Sequence, residues 1–304
     1  MKSIYLKSNW SIKKISKYLL ITLLPLVLAG FYINGISLYI NDYVGVFGLF
    51  KPLLISMLGF IIGILVNLIY EYLIRRTKDS FINTIFSSFH PVYGLLIASV
   101  ISINTNILIF SLVTFILLLF SKYFKRIRIN IVALIALIII LIDSTSGGYS
   151  FLNASGVTSN ITFFNYLFGM GVGGINTTYI ILIFISALIL FAQDFYKKSI
   201  PLFAMLVFTT GIIFYAIFTD SLANILPYLF NYGVIFSFVY LAPDSMASSY
   251  TRRGQMIFGT FVGLTTFGLF LVYPPFAALG AILIISIIHK QIDQLCLLKK
   301  DLKT

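Results

Sequence analysis

Charge is what this 304-residue chain has least of. Lys, Arg, Asp and Glu make up 10% of it, where a soluble domain carries about 25%. Acids are the scarcer sign, nine against 21 bases, for a net charge of +12. The single cysteine, Cys296, excludes an intrachain disulfide and a cysteine-ligated iron–sulfur cluster within the chain. Two histidines, His90 and His289, are too few for a His-based metal or haem site. The sequence has no Gly-rich nicotinamide fingerprint. Its basic residues sit in short clusters between apolar runs, which is the positive-inside pattern of a membrane protein rather than a nucleic-acid groove. Lipid is therefore an expected partner, and nucleic acid is not.

What fills the chain is apolar: 60% hydrophobic residues and a mean hydropathy of +1.03. About 20 apolar residues cross a bilayer as a helix. Ten such runs are expected at roughly 18–40, 52–74, 86–103, 105–121, 129–142, 176–193, 200–218, 225–241, 255–272 and 274–289. The fold class is therefore an all-α integral membrane protein of about ten transmembrane helices. The basic N-terminus followed by an apolar run resembles a signal peptide, but the run is long enough to span and is read as a retained first helix. Placing the N-terminus in the cytoplasm puts twenty of the 21 bases inside, Lys51 alone falling outside. Both termini are then cytoplasmic, in a multi-pass protein of the cell membrane.

The longest cation-free stretch between spans is Asp143–Gly174, which belongs on the outer face. It divides the spans five and five, the arithmetic of an inverted repeat. The expected organisation is a basic tail at 1–17, a five-helix half at 18–142, an outer Gly/Ser/Thr-rich loop at 143–175, a second five-helix half at 176–289 and a basic tail at 290–304. No span carries an acid at its middle, so no ion route can be read from the residues. Three Asn-x-Ser/Thr matches in and beside the loop, at Asn153, Asn160 and Asn176, are expected by chance in so polar a segment.

The densest local pattern comes late: Ala242, Asp244, Ser248, Thr251 and Gly254, then Gly259 and Gly263, Tyr273-Pro274 and Gln291-Ile292-Asp293. It resembles the RnfD/NqrB family of flavin-bearing membrane subunits of ion-translocating electron-transport complexes. In that family an Ala-Thr-Asp-Pro-x-x-Ser-Pro-x-Thr-x-x-Gly segment stands at this place. Pro243 and Ser245 depart from its Thr and Pro. Val92-Tyr93-Gly94-Leu95-Leu96-Ile97-Ala98 is similar to an early helix start of the same family.

The resemblance implies FMN on the outer face, attached by a flavin transferase through a phosphoester to the last Thr of a Ser/Thr-Gly-Ala-Thr motif. Here Ser155-Gly156-Val157-Thr158 fits with Val for Ala, making Thr158 the candidate. Leu152 stands where the family has Asp, and Ser150 and Ser159 are weaker alternatives. Gly173 and Gly174 precede an apolar run, and backbone N–H groups there can hold an anion such as a flavin phosphate; tight helix packing through small residues is the alternative. A second, non-covalent flavin stays open. Asp244, Thr251 and Gly254 are expected to order the loop feeding the ninth span. Partners would be membrane and peripheral redox subunits, and the chain would not be catalytic alone. A transporter or channel, and a membrane glycan polymerase, are the competing readings.

The topology is testable by cysteine labelling from outside. A Ser159→Cys probe should react and a Thr251→Cys probe should not; the reverse pattern would overturn the orientation.

Overall fold

The computed structural model describes residues 11–74, 84–123, 128–143 and 162–301. Apolar helical segments lie at all ten expected positions. They are α1 (Ile12–Phe31), α2 (Val46–Ile69), α3 (His90–Val100), α4 (Ile107–Tyr123), α5 (Ile131–Ile142), α6 (Ile180–Phe191) and α7 (Ser199–Phe218). Then come α8, a pair (Leu222–Phe230 and Val234–Leu241) bent by 47°, α9 (Arg252–Val272) and α10 (Ala277–Asp301). Among the described residues five are long and apolar enough to cross a membrane, six if the bent pair is one span, and four are shorter.

The ends differ from expectation in instructive ways. The first helical run begins at Ile12 and continues through π-type turns at Tyr32–Ser37 to Ile40. The second begins at Val46, so Lys51 lies within its first two turns rather than in a loop. The tenth runs on to Asp301, making most of the expected C-terminal tail helical. The third is the largest departure. Its 11 residues rise only ~16 Å, about half of a ~30 Å hydrocarbon core. A turn at 101–106 then leads into α4.

Both faces of the helices are apolar, as a lipid-facing exterior requires. On α4, Phe110, Thr114 and Leu118 are fully buried, while Leu108, Leu112, Ile116 and Phe120 point out. Both stripes advance by four residues, so one side packs on protein and the other is left for lipid. Small residues bring the helix backbones together. Gly59 and Gly63 of α2 abut Gly94 and the His90 carbonyl of α3, and Gly259 and Gly263 of α9 abut the Ile200 and Ala204 carbonyls of α7.

Most packing pairs repeat along the chain, although those of α1 with α2 and α3 with α4 have no equally extensive counterpart. α2 packs on α3 and α4, α4 on α5, α3 on α5 and α1 on α3. Five helices later, α7 packs on α8 and α9, α9 on α10, α8 on α10 and α6 on α8. Between the two sets, α1 meets α6, α3 meets α8 and α5 meets α10.

A Cβ on Gly59 would run into the Gly94 carbonyl, whereas nothing lies within 4 Å of one on Gly268. Gly59→Val should therefore destabilise by about 1–3 kcal/mol, the usual cost of overpacking, and lower the melting temperature. Gly268→Ala should be neutral or slightly stabilising. Equal behaviour of the two variants would show that the α2–α3 contact is loose.

Candidate functional site

The late motif folds into one loop after α8, and its members come together. Thr251 is the N-cap of α9: its Oγ1 accepts from the Gly254 N–H at 3.0 Å, as short hydroxyl side chains do at helix starts. Asp293, 42 residues on, reaches back from α10. Its carboxylate accepts from the N–H groups of Tyr250 (3.0 Å) and Thr251 (3.1 Å), from Thr251 Oγ1 (2.9 Å) and from Ser249 Oγ. Gly254 is tight against this knot, since a Cβ there would meet Ser249 Oγ, Thr251 Oγ1 and Asp293 Oδ1. The glycine and the closing Ile-Asp of the motif thus belong to the same joint.

Asp244 orders the other end of the loop. Its Oδ1 accepts from the Met246 N–H and from Tyr93 Oη of α3, both at 3.1 Å. Burial pushes its carboxyl above the usual range, while the Met246 N–H and the nearby Lys197 ammonium pull it back. Lys197, between α6 and α7, was read from sequence only as one of a pair of cytoplasmic bases. It donates to Ser248 Oγ at 2.8 Å and to the Ser248 carbonyl at 3.1 Å. Burial draws its pKa down to about 8, against the pull of Asp244 and Asp293, so it stays charged at neutral pH.

Beside the loop is a small cavity of about 60 Å³ between α1, α3, α5 and the end of α8. Phe89, Tyr93, Phe195, Tyr196 and Tyr240 give it an aromatic wall, and Asn130 and Asp244 a polar floor. Asn130 caps α5 through Ala133 N–H and donates through Nδ2 to the Leu241 carbonyl at 2.8 Å. It thereby fills one of the carbonyl vacancies that a helix C-terminus leaves. The cavity gathers the starts of α1, α3 and α5 and the end of α8 at one face of the protein, where the α6–α7 connection also lies.

A second buried cluster lies on the same side of α3. Lys122 pairs with Glu71 at 3.5 Å, both side chains under a tenth exposed, and donates to Asn67 Oδ1. Ser88 also donates to Asn67 Oδ1, at 2.8 Å, and contacts His90 Nδ1 at 2.9 Å. This network ties the ends of α2 and α4 to the start of α3. The sequence showed only the bases of these connections, not their partners.

The Gly-rich segment before α6 is packed against the break after α3. The Ile175 N–H donates to the Ile101 carbonyl at 2.9 Å and the Asn176 N–H to Ser99 O at 3.1 Å. Asn176 Nδ2 joins Ser56 and Ser99, and Asn34 Nδ2 donates to the Ile175 carbonyl at 2.8 Å. A Cβ on Gly174 would strike the backbone of Ser99 and Val100, and one on Gly173 would strike Thr177 Oγ1. Close packing is therefore reason enough for both glycines, and the N–H groups of Ile175, Asn176 and Thr177 are all engaged within the chain. The same segment seals the bend of α8. Val172 accepts from the Tyr232 N–H, and its own N–H donates to Asn231 Oδ1 at 2.8 Å. Gly233 there takes a left-handed φ of +64°, which glycine adopts without strain.

Ser155, Gly156 and Thr158, with Ser150, Leu152 and Ser159, lie outside the described residues. Among the described residues no group of three or more His, Cys, Asp or Glu could hold a metal ion.

A family model described as the NQR2, RnfD, RnfE family matches residues 1–300. No curated protein matches the chain.

The Asp293 joint gives a graded expectation. Thr251→Ala removes one cap and should cost about 1 kcal/mol. Asp293→Ala strands several exposed and part-buried loop donors at once and should cost more in sum, each below the about 1–3 kcal/mol of a fully buried group left unsatisfied. Thermal melts of the two variants check the order, and a milder Asp293→Ala would show that water replaces the carboxylate.

Proposed function

Since the chain belongs to the NQR2, RnfD, RnfE family and is a multi-pass membrane protein, we propose that it is the flavin-bearing membrane subunit of an Rnf/Nqr-type electron-transport complex. The family match over residues 1–300 carries the subunit reading. The flavin reading rests on Ser155-Gly156-Val157-Thr158 within a cation-free loop. Thr158 receives FMN through a phosphoester on the outer face, by the action of a flavin transferase. Attached flavin supplies one- and two-electron steps beside the membrane, and the chain supplies its position and surroundings. Redox partner subunits in the cell membrane provide and remove the electrons. The residues named here leave the coupling ion unassigned.

The orientation we infer has ten spans and both termini inside. Two observations support it. The face gathering the starts of α1, α3 and α5 also carries the basic residues Lys122 and Lys197. Most packing pairs of α1–α5, though not α1–α2 and α3–α4, recur in α6–α10, as a two-fold inverted repeat would have them. Two aspartates, one past α5 and one within α10, add to the likeness. Asp143, just past α5, accepts at 2.7 Å from the N–H of Asn106, the residue before α4. Asp293 treats Thr251, the residue before α9, in the same way.

No second flavin is assigned to the aromatic cavity. At about 60 Å³ it is far below the ~300 Å³ at which small-molecule pockets begin. The short α3 and the bent α8 are also features of transporters, whose sites lie where helices break. Here the breaks are closed by hydrogen bonds to Val172, Ile175 and Asn176, as any helix break inside a membrane protein requires.

Peptide mass spectrometry after co-expression with a matching flavin transferase tests the attachment. The peptide containing Thr158 should gain FMN, and the Thr158→Val protein should not. An unmodified Thr158 in folded protein would remove the covalent flavin and promote the transporter reading.

A further inference from the structure

The surroundings of Lys197 go beyond an ordinary hydrogen bond. Its Nζ has four oxygens around it: Ser248 Oγ at 2.8 Å, the Ser248 carbonyl at 3.1 Å, and the Asp244 and Ser245 carbonyls at 3.4 Å each. On a further side lies the ring of Tyr250, its centroid at 4.3 Å. An ammonium has three N–H groups, fewer than the oxygens that converge on it. The arrangement is that of carbonyl dipoles and a π face turned toward a charge, as around a bound ion. Ser248 is itself fully buried, and its hydroxyl also donates to the Asp244 carbonyl, so the loop is wound about the ammonium. The carboxylates of Asp244 and Asp293 add negative potential.

Size narrows the class of ion. Small hard cations draw oxygens to about 2.0–2.6 Å. Distances of 2.8–3.4 Å suit ammonium or a monovalent cation of similar size.

We propose that Asp244–Ser248 is a binding site for an ammonium-sized monovalent cation, and that its resident ion is the side-chain ammonium of Lys197. The site then holds its cation by a covalent tether from the α6–α7 connection. Its role is to position Asp244 at the cavity beneath Tyr93. The inference does not depend on the flavin. It implies that a diffusible ion of the right size can take the place of the tethered one when the lysine is truncated.

The test uses the full chain in detergent with Lys197→Ala. The variant is expressed and purified with potassium and ammonium present throughout. It is then exchanged into potassium, rubidium, ammonium, lithium or N-methylglucamine chloride at equal ionic strength, and melted in each. The unaltered protein should melt at the same temperature in all five. The variant should melt several degrees lower in lithium and N-methylglucamine and recover in potassium, rubidium and ammonium. Adding Ser248→Ala, which removes one cage oxygen, should abolish that recovery. Three outcomes would overturn the proposal: equal recovery in every salt, recovery in none, or no folded variant even with potassium and ammonium kept present.

Discussion

Within a hydrocarbon layer no water is at hand to receive the N–H and C=O groups freed where a helix stops, and each one left alone costs several kcal/mol. That constraint governs this chain, because its helices stop often. α3 ends at Val100, α8 bends at 231–233, and polar turns precede α4, α6 and α9. Every one of these stops has a named answer. Asp143 receives the N–H before α4, Asn130 serves the end of α8, Asp293 gathers the N–H groups before α9, and Val172, Ile175 and Asn176 close the breaks near the Gly-rich segment. The scarce polar residues are spent mostly on backbone.

This division explains what the sequence revealed and what it concealed. Hydropathy and basic clusters found ten helical segments, because apolar length and charge are local properties. The motif around Asp244 was also readable, since its members are close in sequence. What closes it was not. Lys197 looks like any base at a loop, and its oxygens lie about 50 residues away. Asp143 opens the cation-free stretch in the sequence, yet its partner is 37 residues earlier. The Asn67–Ser88–His90–Lys122 network joins three segments that share no pattern. The brevity of α3 was hidden too, since apolar residues continue past Val100 while the backbone turns.

The two ends of the molecule have different characters in the reading proposed above. At one face a loop is wound tightly by a lysine and two aspartates, beside a small aromatic-walled cavity. At the other face, in that reading, lies the polar, cation-free stretch that offers Thr158. A redox subunit needs both properties, a firm frame and an accessible attachment point, and this chain keeps them far apart in sequence. The Gly-rich segment links them. It closes the cation-free stretch and is anchored into the break of α3 by Asn34, Ser56 and Ser99.

The aspartate joints also carry a timetable. A ribosome reaches Asp293 only after it has made the 41 residues that follow Thr251, several seconds later at about 5–20 residues per second. Until α10 arrives, the start of α9 has its threonine cap but not its carboxylate. A slightly shorter interval of 36 residues separates Asn106 from Asp143. The starts of α4 and α9 are thus each fastened by a later aspartate, so that a nascent chain that ends before Asp143 or Asp293 holds an unfinished joint.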